Sequence, residues 1–255
     1  MGYESIPGWF SSEAADVYRD MVATCPGGGT ICEVGVAFGR SLAFLAGEVL
    51  KSGKYIRVVA VDNWYKTSYE PPHDHTDTPP NGDAVALEAM REGGGSQWSA
   101  FLYLMRQHAP RELDIVHVMR GQSWEAAKAF GFVHGVFLDA AHDYESVSRD
   151  IAAWAPHVGH GGILAGDDHA PDFPGVQQAC SEAFGPSGYT VRGRTWRRRC
   201  EDGRGGGGEW ADASRHAYPV DTPEGESDEV QCRDVGVGLH PQRGLRHGAS
   251  TGSIR

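Results

Sequence analysis

Two aspartates, Asp167 and Asp168, stand side by side in "GGILAGDDHAPDFPGV" (161–176), where a short apolar run stops. Adjacent carboxylates repel each other, and burying one is costly unless a cation or hydrogen-bond donors compensate it. Three more acids hold similar places. Glu33 lies within "TICEVGVA", Asp62 closes "YIRVVAVD" and Asp139 sits in "HGVFLDAAH". Acids repeated at the ends of apolar runs suggest a shared site whose guests are positively charged.

The elements that would position these acids read as an alternation. "SSEAADVYRDMVAT" is a first helix with a serine cap. The run "TICEVGVA" meets a glycine turn and leads into the helix "RSLAFLAGEVLK". "YIRVVAVD" is a strand, "SQWSAFLYLMRQH" a one-faced helix, "LDIVHVMRG" a strand and "SWEAAKAF" a short helix. The strand "HGVFLDAAH" precedes the helix "YESVSRDIAAWAPHV". The strand "GGILAG" precedes "PGVQQACSEAF", a helix with proline at its start. The strand-like runs "YTVRGR" and "TWRRRC" close the series. Short apolar strands alternating with helices predict a doubly wound α/β domain with a mostly parallel sheet covered on both faces. Ligands in such sheets bind outside the carboxyl ends of the strands, the rim to which these acids are delivered.

The glycine loop "EVGVAFGRS" (33–41) narrows the ligand. Arg40, not lysine, follows Gly39, and three residues separate Gly35 from Gly39, which does not match a P-loop. The dinucleotide fingerprint wants three glycines and finds two. Glu33, two residues before Gly35, would oppose a phosphate but suits an amino group. Asp62 is placed to accept hydrogen bonds from ribose hydroxyls. A cationic nucleoside without phosphates fits these residues, and S-adenosylmethionine is such a molecule.

Residues from about 29 to 200 resemble the class I S-adenosylmethionine-dependent methyltransferases, which have a Rossmann-like fold. Within them the chain resembles the bacterial branch of sugar and antibiotic O-methyltransferases of the macrocin type, with catechol O-methyltransferase more distant. The carriers are "EVGVAFGRS", "VAVDNW", "RGQSWEAA", "VFLDAAHDYESVSRDIAAW" and "GGILAGDDHAPDFPGVQQA". Ala140 is a departure, where the family often has glycine. The resemblance implies that Gly35 and Gly39 let the backbone approach the methionine part of the cofactor and that Ser41 binds its carboxylate. It also implies that Asp62 holds the ribose and that Gln122 and Ser123 contact adenine, the alternative for these two being a helix cap and its neighbour. Glu33 and Asp139 join this cofactor-binding set. The metal-dependent relatives imply a divalent cation, Mg²⁺ first among Mg²⁺, Ca²⁺ and Mn²⁺, held by Asp139, Asp167 and Asp168. One of the adjacent pair can instead touch substrate. His142, which the family motif keeps, and Asp167 are the expected catalytic groups; His169 is a second candidate base.

The expected reaction is metal-assisted O-methylation of a small hydroxylated acceptor, a sugar or natural product. The alternatives are a non-catalytic cofactor-binding module of the same fold and an NAD-linked oxidoreductase, which the glycine spacing disfavours.

Residues 63–95 read as a lid over the site; "HDH" (73–75) there lacks a convincing third zinc ligand. The basic run "RGRTWRRRC" reads as an edge strand with solvated arginines rather than a nucleic-acid surface, since the formal net charge is −11. Five cysteines without metal spacing argue for a reduced, cytoplasmic protein, and no apolar window is long enough to span a membrane. The oligomeric state stays open, a homo-oligomer included. From Glu201 onward glycine is dense and no apolar period holds, so residues 1–200 read as the domain and 201–255 as a mostly disordered tail.

Overall fold

The computed structural model of the protein describes residues 2–65, 82–200 and 231–233. Helix α1 (Ser12–Thr24) is capped by Ser11, whose side chain accepts a hydrogen bond from Ala14 N. Strand β1 (Thr30–Val34) turns through the glycine loop into α2 (Arg40–Ser52). Then come β2 (Arg57–Asp62), α3 (Gly82–Glu92), α4 (Gln97–His108) and α5 (Pro110–Leu113). They are followed by β3 (Val116–Arg120), α6 (Ser123–Ala127), β4 (Val133–Leu138) and α7 (Tyr144–Trp154). The chain continues through β5 (Val158–Gly166), α8 (Pro174–Phe184), β6 (Thr190–Arg192), β7 (Thr195–Arg199) and β8 (Gln231–Arg233).

The sheet order is β6-β7-β5-β4-β1-β2-β3-β8. Strands β5, β4, β1, β2 and β3 are parallel, whereas β7, β6 and β8 pair antiparallel. The expected doubly wound sheet is therefore present. Its order reverses between β1 and β4, the kind of switch point where α/β sheets bind ligands. One expectation needs correcting. The basic run does not form the edge strand, because β7 lies between β5 and β6. Of residues 201–255, Gln231–Arg233 (β8) pair with β3, and the rest lie outside the described residues. About half of the expected lid, 66–81 with "HDH", also lies outside them.

Two apolar layers cover the sheet, and strand parity decides which residue enters each. Ile31, Val58, Ala60, Phe137, Ile163 and Ala165 face the layer of α1, α2 and α4. Cys32, Val34, Val59, Val61, Val136, Leu138 and Leu164 face the layer of α6, α7 and α8. The alternation puts Glu33, Asp62, Asp139 and Asp167 in phase with the first set. Four strands thereby aim carboxylates at the same side of one rim.

Cys25, Cys32, Cys180 and Cys200 are free thiols. Among the described residues no helix is long and apolar enough to cross a membrane.

Candidate active site

The glycine loop is fixed from three directions. Gly35 N donates to Val61 O at 2.9 Å, and Asp139 N donates to Val34 O at 2.7 Å. Gly35 has φ 84°, and a Cβ there would stand 2.0 Å from Asp139 O. Gly39 has φ 93°, and a Cβ there would come within 2.8 Å of Met105 Sδ. Both glycines are thus required by the protein's own packing, of the loop onto the end of β4 and onto α4, whatever ligand approaches them.

Asp62 holds the loop's amides. Its Oδ2 accepts from Val36 N at 2.8 Å and Ala37 N at 2.9 Å, and its Oδ1 accepts from Trp64 N at 2.8 Å. A carboxylate offers about four lone-pair sites, so Asp62 retains room for one further donor, which suits a ribose hydroxyl. Buried Trp64 closes the circuit, its Nε1 donating to Ala37 O at 2.8 Å. Ala37, Trp64 and Asp168 have φ of 49°, 44° and 60°. These left-handed non-glycine residues all lie just beyond strands of the same rim, and such strain concentrates where function over-determines the backbone.

Glu33 is fully buried. Its Oε1 accepts from Ser41 Oγ at 2.6 Å, while Oε2 has no hydrogen-bond partner among the described residues. Burial pushes its carboxyl up to about 8; Ser41 and Tyr18 pull the other way, and Asp62 adds to the rise. A cation at this place would restore the charged form. The Ser41 hydroxyl is engaged inward by Glu33 rather than at the start of α2. Ser123 is likewise engaged: its buried Oγ accepts from Trp154 Nε1 at 2.9 Å. Gln122, exposed, is the residue before α6 and makes no side-chain cap there.

The acids at the ends of β4 and β5 form the second half of the site. Burial raises Asp139 well above the usual carboxylate range, and Asp167, Asp168, Glu33 and Asp62 reinforce the shift by repulsion. Asp167 is raised by burial and by Asp168, and its Oδ1 accepts from Thr195 Oγ1 at 3.1 Å. Asp168 behaves oppositely. Burial would raise it, but His142 and Arg194 outweigh that and hold it below the ordinary value. His142 Nε2 lies 3.0 Å from Asp168 Oδ2, and Arg194 Nη2 lies 3.1 Å from Asp168 Oδ1.

One atom from each of Asp139, His142 and Asp168 comes within 4.8 Å of the others, close enough for one ion. The expected trio was Asp139, Asp167 and Asp168. Asp167 lies beside this group with its Oδ1 accepting from Thr195, and Asp168, left-handed, meets His142. A set of two carboxylates and an imidazole suits a borderline or hard divalent cation. His169 pairs with Tyr189, its Nε2 lying 3.1 Å from the hydroxyl.

Sequence reasoning missed Arg194, Tyr18 and Thr195. Tyr18, from α1, is fully buried beside Glu33, which raises its hydroxyl after burial itself. It also packs in the core with Ala14, Ala15, Met21 and Val22, at i, i+3 and i+4 spacing on α1.

The model of the family described as "Methyltransferase domain" matches residues 32–169, from within β1 to just past the aspartate pair. No curated protein matches the sequence. Among solved structures, that of the O-methyltransferase NovP is similar with TM-score 0.51 and 15% identity, covering 74% of this chain and 79% of NovP. The apo structure of CalS11, a TDP-rhamnose 3'-O-methyltransferase of calicheamicin biosynthesis, is similar with TM-score 0.47 and 20% identity, covering 74% and 79%. With the family model spanning more than half of its length, the chain belongs to the methyltransferase-domain family, and it is an S-adenosylmethionine-dependent methyltransferase of class I.

Proposed function

We propose that the protein transfers a methyl group from S-adenosylmethionine to a hydroxyl of a small acceptor, a sugar or natural product, with a divalent cation held by Asp139, His142 and Asp168. The observation that carries this reading is the convergence of those three side chains beside the rim where Glu33 and Asp62 await a cationic nucleoside. NovP, which shares the fold, is an O-methyltransferase, and an oxygen acceptor agrees with that analogy.

Asp62 would orient the ribose through its remaining lone pair, and the buried Glu33 would face the cofactor's positive charge. Gly35, Gly39, Ser41, Gln122 and Ser123 line the two loops expected to border the cofactor. When bound, the cation would supply Lewis acidity that lowers the pKa of the acceptor hydroxyl. Asp167, held by Thr195 beside the ion site, would take the hydroxyl proton. The new C–O bond forms as the donor's S–C bond breaks, in line, so the protein's main contributions are alignment and charge. In this reading His142 would act as a ligand rather than as the general base.

Incubation of the protein with methyl-labelled S-adenosylmethionine and a panel of sugars, glycosides and phenols, with Mg²⁺ or with EDTA, tests this reading. Label should enter a hydroxylated acceptor and fall at least tenfold with EDTA or in Asp168→Asn, on the scale of losing a charge-stabilising group. Turnover that EDTA leaves untouched would remove the cation from the account. Transfer exclusively to nitrogen or carbon acceptors would remove the hydroxyl.

A further inference from the structure

Arg194 stands at the tip of the hairpin between β6 and β7, directly after Gly193 with its φ of 58°. Its Nε and Nη2 lie 3.3 and 3.1 Å from Asp168 Oδ1, and Nη2 also lies 2.9 Å from Asp172 Oδ2. The guanidinium carbon sits 5.1 Å from the centroid of Phe173, and the same ring meets His142 edge-on at 4.6 Å. The backbone is pinned as well, since His169 N donates to Arg194 O at 2.8 Å. Arg194 is therefore a positioned cation, bonded to one oxygen of a carboxylate whose other oxygen faces His142.

This bears on cation loading, and it rests on the ion site read above at Asp139, His142 and Asp168. An ion drawn to Asp168 meets a positive charge already bound to that carboxylate. Guanidinium cannot shed its proton in a protein, so the competition does not disappear at any working pH. Like charges a few ångströms apart repel strongly even when partly screened by solvent. We propose that Arg194 is a built-in competitor for Asp168, and that its charge sets how tightly the site binds a divalent cation.

Binding of Mn²⁺ to the full chain, followed by the electron paramagnetic resonance of the free ion, tests the proposal in wild type, Arg194→Gln and Arg194→Lys. Arg194→Gln should bind Mn²⁺ about tenfold more tightly, and Arg194→Lys, which keeps the charge, should stay within about threefold of wild type. Equal or weaker binding by Arg194→Gln, with wild type binding normally, overturns the proposal and leaves the ion site standing. Absence of Mn²⁺ binding in all three chains overturns both. Should Arg194→Gln fail to fold, wild type decides the matter by the Nε–H resonances of ¹⁵N-labelled arginine. The signal missing from Arg194→Lys should shift as Mg²⁺ is added, and a stationary signal overturns the proposal.

Discussion

At the scale of single residues, Glu33 shows what the site costs the fold. Its carboxyl stands near 8 in the folded protein, above the ordinary 4.5, because burial disfavours the anion. The folded state therefore holds a proton that the unfolded chain releases. The resulting stability is complete below the unfolded value and is lost as pH rises toward 8. At about 1.4 kcal/mol per pKa unit, the loss is on the order of 5 kcal/mol. Glu33→Gln keeps an acceptor for Ser41 and removes the titration. Urea unfolding across pH 5 to 9 should show the variant gaining steadily on wild type up to about pH 8. Parallel stability curves would contradict the assignment. A cationic guest beside Glu33 would offset this cost.

At the scale of elements, the glycine loop and the end of β4 form one unit. Gly35 cannot relax, because hydrogen bonds tie it to β2 and the start of the Asp139 turn to β1. Gly35→Ala would place a methyl carbon 2.0 Å from Asp139 O at a φ of 84°. It should cost at least about 3 kcal/mol in chemical denaturation, an overpacking and strain effect at the upper end of its class. Gly53→Ala, at φ 66° with open space around it, should cost only about 1 kcal/mol. Similar losses for the two would contradict the packing role given to Gly35. The parallel strands were readable because each is a short apolar run, and α1, α4 and α7 were readable by their side-chain caps, α5 and α8 by a proline at the start. Asp62, Asp139 and the aspartate pair were readable for the same reason, being charges at the ends of such runs. Arg194 was not. Its role depends on a hairpin folding back across the rim, and a lone arginine in a basic run carries no sign of that. The approach of His142 to Asp168 was equally hidden, because Asp168 has left-handed backbone that the sequence does not announce.

At the scale of the whole molecule, charge is arranged rather than merely acidic. The basic hairpin is spent internally: Arg192 pairs with Asp16, Arg197 with Asp20, and Arg194 with Asp168 and Asp172. Exposed pairs of this kind add little stability. Four acids gather at the carboxyl ends of β1, β2, β4 and β5, where parity aims Glu33, Asp62, Asp139 and Asp167 to one side. That rim should attract a cationic nucleoside without any phosphate. Calorimetric titration of the full chain with S-adenosylmethionine tests this most directly, with NADH as the comparison. The account predicts one site per chain for S-adenosylmethionine, weakened at least tenfold in Asp62→Asn, and no heat of binding for NADH. Binding of NADH in its place, or no binding of S-adenosylmethionine to the folded wild type, would contradict it.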